Sequence, residues 1–215
     1  VNNKQTKQNV KVLAEQGIPM ATGPTMPGMT NGGDQPIIWI NDFNEEETRD
    51  FFEKFQSLES DDQVHAILIY IDSYGGSLDS LSAICELMSS SRKQIVTAAV
   101  GKAMSAGAMM VSLGAEGMRF AGPTTTLMYH RVQIQDIDGD INLVHSMSEA
   151  IMKENEAWLR RIIARTKMTW KGFNKELNER GGAWYMTSKE ALHHGFIDKI
   201  GIPAIRTIQQ TRLYM

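Results

Sequence analysis

The sequence predicts one α/β domain, built from repeated strand-helix units around a largely parallel sheet, with one long helix added to it. Three observations carry that reading. Short apolar runs rich in β-branched residues alternate with segments of helical spacing, turns of glycine and other small residues follow the strands, and an unbroken helical pattern covers residues 141–167. At 215 residues the chain has room for one substantial core and is too short for two independent enzyme domains. The expected division is an arm over 1–35, a domain over 36–201 and a tail over 202–215.

The arm is rich in Asn, Gln, Gly, Pro and Met and reads as flexible. PIIWI at 36–40 is the first strand, and Phe43, Phe51, Phe52, Phe55 and Leu58 suit one face of the helix that follows. HAILIYID at 65–72 is a buried strand, SYGGS a turn, and LDSLSAICELMSSS at 78–91 a helix. QIVTAAVG is the next strand, KAMSAGAM a tight small-residue turn, and AGAMMVSLG a helix ending near Gly114. RFAGPTTTLMYH adds a strand after a turn at Gly122 and Pro123. On the long helix, Val144, Met147, Ile151, Trp158, Ile162 and Ile163 share one broad face, which suits either covering the chain's own sheet or packing on another subunit.

Composition excludes several functions. Apolar residues make up 42% and charged residues 22%, the balance of a globular protein, and the net charge of −3 leaves no basic stripe for nucleic acid. No run of about 18 apolar residues suggests a membrane span, and the start carries no signal-peptide core, so a cytoplasmic, soluble protein is expected. Cys85 is the single cysteine, which forbids an intrachain disulfide and reads as a small buried apolar residue. His193 and His194 lack acidic or cysteine partners at ligand spacing, so no metal site is expected.

Three short segments carry the chemistry. Ser105 in GKAMSAGAMM lies between a strand and a helix, with Gly101, Ala103, Ala106, Gly107 and Ala108 leaving room for substrate to approach its hydroxyl. Amides at the start of a helix suit a developing oxyanion, although a serine there is more often simply an N-cap. Gly75 and Gly76 end the strand of YIDSYGGS, as a plain turn, a second oxyanion donor or a dock for an extended peptide. His130 ends the strand of LMYH, within reach of a hydroxyl on a neighbouring turn. All three lie at C-terminal strand ends, where sites gather in open α/β sheets.

The set resembles the proteolytic subunits of the Clp protease family, which carry a Ser-Pro-Gly-Gly turn, a nucleophile in Gln-Ala-Ala-Ser-Met-Gly-Ala, and Met-Ile-His at a strand end. Here the corresponding segments read DSYGGS, KAMSAGA and MYH, and the spacings from Gly76 to Ser105 and from Ser105 to His130 need no gap. YMTSKEALHHGFIDKIG is similar to the family's closing segment, so the likeness spans about Pro36 to Gly201. The arm does not match the family's axial hairpin.

The resemblance implies a Clp/crotonase-like fold with a protruding long helix and a Ser-His-acid peptidase. Ser105 would be the nucleophile, His130 its base, Gly76 and Ala106 the oxyanion donors, and Gly75 and Tyr74 part of the dock for the substrate backbone. It further implies unfolded polypeptide as substrate, sevenfold rings stacked face to face as a tetradecamer, and an AAA+ unfoldase that spends the ATP. The subunit itself would need no cofactor. Three departures stand out: Tyr74 replaces the turn proline, Arg131 replaces the usual Gln after the base, and the gap-free acid position is Glu179 instead of aspartate. Asn178, Glu176, Asp136, Asp138 and Asp140 are the alternatives to Glu179. Three other readings are a non-catalytic ring subunit, a crotonase-type acyl-CoA enzyme and a Ser-Lys peptidase using Lys102.

Overall fold

A computed structural model describes residues 36–133 and 139–203. The arm, the tail beyond Pro203 and the acid candidates Asp136 and Asp138 lie outside the described residues.

Among the described residues the sheet holds seven strands: β1 (Ile37–Ile40), β2 (Ala66–Ser73), β3 (Gln94–Met104), β4 (Arg119–Ala121), β5 (Thr126–His130), β6 (Ala183–Thr187) and β7 (Lys199–Ile200). Strands β1, β2, β3, β4 and β7 lie in that order and pair in parallel. The helices between them are α1 (Glu45–Ser60), α2 (Leu78–Ser90), α3 (Ala106–Ser112), α4 (Ile141–Ile163), α5 (Trp170–Glu179) and α6 (Ser188–His194). Central parallel strands are covered on both faces, which is why β2 and β3 read as near-continuous apolar runs.

Strand β3 places the site because it serves two neighbours. Thr97–Ala99 pair with β4, whereas Lys102–Met104 pair with β5. Between these stretches the pairing with β2 slips, from Ile71 opposite Ala99 to Ser73 opposite Ala103. Gly101 absorbs the irregularity at φ 77°, a conformation that favours glycine. The expected turn at KAMSAGAM is therefore shorter than the sequence suggested, because Lys102–Met104 are still strand.

The RFAGPTTTLMYH segment is two strands, since Gly122 and Pro123 break it into β4 and β5. The long helix stops at Ile163, short of Lys167, where Ala164 caps it and the chain turns into α5. Strand β6 runs antiparallel to β5, with Tyr129 opposite Trp184 and His130 opposite Ala183. Phe43 is buried but precedes α1, whose N-cap is Asn44, so its place in the core comes from the approach to the helix and not from a helical face.

Phe51, Phe55 and Leu58 seat α1, while Leu81, Ile84, Cys85 and Met88 seat α2. Helix α3 is buried on every side, as expected of a helix with no polar face. Its Ser112 hydroxyl lies 2.6 Å from the Tyr129 hydroxyl, which also donates to the Ala108 carbonyl at 2.8 Å. Arg119, only 4% exposed, clasps Asp198 through Nε to Oδ2 at 2.9 Å and Nη2 to Oδ1 at 2.6 Å. Burial alone would raise the Asp198 pKa, but the bonds from Arg119 hold it below the ordinary value. Among the described residues, no helix is long and apolar enough to cross a membrane, and no group of three or more metal-ligating side chains occurs.

Candidate active site

Strand β3 delivers Ser105 to the mouth of a cleft of about 670 Å³. Ser105 sits at φ 53° and ψ −121°, and no other non-glycine residue among those described has a positive φ. Its side chain makes no cap bond to α3, which sets aside the N-cap reading. Instead the hydroxyl oxygen lies 2.7 Å from His130 Nε2. The backbone is fixed by the Ser105 N–H donating to the Met128 carbonyl at 2.8 Å, so the pairing of β3 with β5 also sets the serine-histidine register.

His130 belongs to the face of β5 that carries Met128, while Leu127 and Tyr129 point into the core. It is half-buried, and loss of solvent pushes its pKa below the ordinary histidine value. Burial therefore favours the neutral imidazole, the form able to accept a proton.

Gly75 and Gly76 close the other side, at φ 107° and 153°. A Cβ on Gly75 would stand 2.6 Å from Ser105 Cβ and 3.2 Å from the Ala106 nitrogen, and one on Gly76 would stand 2.5 Å from the Phe43 carbonyl oxygen. No side chain fits at either position. Ala106 is the first residue of α3, so its N–H has no intrahelical acceptor. Tyr74 is largely exposed at the rim, with Lys102 Nζ 4.4 Å from its ring centroid.

Lys102 donates to Asp72 Oδ1 at 2.7 Å, and that bond raises its pKa, the opposite of what a general base requires. The Ser-Lys reading has no support in this geometry.

The structure does not bring Glu179 to His130. Its carboxylate is 59% exposed and lies 3.7 Å from Lys175 Nζ, one turn back on α5. Asn178 accepts from Arg131 Nη2, Glu176 pairs with Arg180, and Asp140 caps α4 by accepting from the Asn142 N–H. Among the described residues, no carboxylate hydrogen-bonds or ion-pairs with His130. The physical reason lies in the loop after α5, where Gly181 and Gly182 turn the chain into β6 and Arg131 ties both Asn178 and the Gly182 carbonyl.

Sequence reasoning missed the far wall of the cleft. Leu81, Met109, Met128 and Ile151 line it, together with Glu154 and Asn155. Ile151, Glu154 and Trp158 are spaced i, i+3, i+7 along α4, so a carboxylate interrupting that apolar stripe was the available signal.

The family model described as Clp protease matches residues 33–203. Over 145 residues the chain is 31% identical to ATP-dependent Clp protease proteolytic subunit 1 of Tropheryma whipplei (strain Twist), covering 66% of this chain and 68% of that one. Over 149 residues it is 32% identical to ATP-dependent Clp protease proteolytic subunit 2 of Leifsonia xyli subsp. xyli, covering 66% and 63%. The corresponding subunit 2 of Thermobifida fusca is 29% identical over 143 residues, covering 66% and 68%.

Proposed function

This chain belongs to the Clp protease family, and from that premise we propose that it is a serine endopeptidase in which Ser105 attacks the peptide carbonyl and His130 is its base. The observation that carries the reading is the 2.7 Å contact between Ser105 Oγ and His130 Nε2, made by a serine held at positive φ. His130 takes the hydroxyl proton as Oγ bonds to the carbonyl carbon. The Gly76 and Ala106 amides stabilise the oxyanion, and the protonated His130 gives its proton to the leaving amine. Water, deprotonated by the same imidazole, then releases the acyl group and restores Ser105. Gly75 and Tyr74 edge the groove in which an extended substrate would lie. Every step uses this chain's own groups, and no cofactor takes part.

The proposal extends to assembly. Relatives named as proteolytic subunits of an ATP-dependent protease support unfolded polypeptide as substrate, a partner unfoldase as the consumer of ATP, and stacked rings as the working form. One observation favours the rival reading of a non-catalytic ring subunit, namely that no described carboxylate orients His130.

Labelling decides between them. A fluorophosphonate should modify the wild type at Ser105, and Ser105→Ala should remove both the label and about a million-fold of peptide turnover. His130→Ala should slow labelling by several orders of magnitude. Wild-type protein that takes no label would establish the non-catalytic reading.

A further inference from the structure

The cleft beside Ser105 is walled by Leu78, Leu81, Met109, Met128 and Ile151, yet two carboxylates, Asp79 and Glu154, also line it. Among the described residues no lysine or arginine lines it, and burial of His130, the one histidine among those described lining residues, disfavours its charged form. Asp79 is exposed in the first turn of α2. Glu154 is half-buried on α4 and is held in place. The Ser82 hydroxyl donates to Glu154 Oε1 at 2.5 Å and accepts from Trp158 Nε1 at 2.7 Å. A hydroxyl has one proton, and the indole N–H can only donate, so the Ser82 proton must be directed at Glu154. This relay fixes one carboxylate oxygen and leaves the other with no hydrogen-bond partner among the described residues. Nor does any described cation pair with Glu154: Lys153 and His145 both face Glu149, while Arg161 bonds Ser89 and lies over the Trp158 ring.

A carboxylate on the wall of an apolar pocket attracts a side chain that is aliphatic along its length and cationic at its end. We infer that Glu154 is a specificity-determining residue that selects lysine or arginine on the acyl side of the bond cleaved by Ser105. The methylenes of such a side chain lie against Ile151, Met109 and Met128, and its terminal N–H groups meet the free oxygen of Glu154. The inference rests on the proposed peptidase reading and names the substrate class for that site. The same logic governs serine peptidases with a carboxylate in the pocket for that residue.

The test uses the full chain and a peptide series that differs only in the residue before the scissile bond: Lys, Arg, Leu, Met, Gln or Glu. In kcat/KM, Lys and Arg should exceed Leu by about tenfold or more, and Glu154→Gln, which can still accept from Ser82, should erase most of that ratio. Glu154→Lys should invert the order, placing Glu above Lys, an outcome that loss of folding cannot produce. The same peptides are then bound, without turnover, to Ser105→Ala protein with and without Glu154→Gln, by fluorescence anisotropy. Tighter binding of the Lys peptide that disappears in the double variant supports the inference even if the wild type hydrolyses nothing, a result that would overturn only the peptidase reading. Equal binding of Lys and Leu peptides, or a Lys-to-Leu ratio unchanged in Glu154→Gln, overturns the inference even if hydrolysis is robust.

Discussion

Ser105 occupies a backbone conformation that an L-residue adopts only when its surroundings impose it, and such a residue stores about 1–3 kcal/mol. The constraint comes from both sides, through the Ser105 N–H donating a hydrogen bond to the Met128 carbonyl and through the close approach of Gly75. Glycine carries no such penalty at positive φ. Ser105→Gly should therefore be more stable to urea than Ser105→Ala by about 1 kcal/mol, since both lose the same hydroxyl and differ only in a Cβ. Equal midpoints would show that the turn is not strained. His130 gives a second expectation at this scale. Burial lowers its pKa, so the neutral base survives to more acidic pH than an exposed histidine would allow. The acid limb of kcat/KM should fall below about pH 6.5, the unperturbed value. The linkage has the same sign for stability: as pH falls below about 6.5 the unfolded chain takes up this proton first, so the folded state loses stability. An acid limb above pH 7 would mean that a carboxylate raises the His130 pKa in the working enzyme.

The elements that present the site were mostly legible in the sequence, because each depends on a local rule. The unbroken apolar runs of β2 and β3 mark buried parallel strands, and Gly75, Gly76 and the small residues around Ser105 mark a crowded turn. The long-range pairings were not legible. The fork of β3 onto β4 and β5 and the antiparallel seat of β6 depend on contacts distant in sequence, and no periodicity reports them. The acid was not legible for the same reason. Glu179 matches by count, but the count cannot see that α5 ends with its carboxylate beside Lys175, or that Arg131 has taken Asn178. Glu179→Gln should then slow acylation by less than about tenfold, far less than loss of a triad acid costs. A loss of several orders of magnitude, read by rapid-mixing acylation, would show that the end of α5 moves to His130 during turnover.

At the scale of the whole molecule, α4 divides into two halves with different surroundings. Its C-terminal half buries Trp158, Leu159, Ile162 and Ile163 against the chain's own core, whereas its N-terminal half leaves Ile141 80% exposed, with Leu143, Met147 and Met152 also in solvent. The expectation that this helix covers the chain's own sheet therefore describes its C-terminal half, and its exposed N-terminal half is what the proposed packing on another subunit would use. A helix that keeps four large apolar side chains in water gains by covering them, and closed symmetry is the usual way a soluble protein does so. Burying apolar surface stabilises by about 25 cal/mol per Å², so a set of such contacts repeated around a ring would hold it together although each is modest. The proposed ring should appear in analytical ultracentrifugation as a species several times the 24.0 kDa chain mass. Replacing Ile141 and Met147 together with Glu should shift it toward smaller species, because an uncompensated charge in each copy of an apolar contact costs several kcal/mol. Fluorophosphonate labelling of Ser105 in those smaller species would then report whether a lone protomer keeps its site. A wild-type chain that sediments at monomer mass at micromolar concentration, with full peptidase activity, would refute the ring.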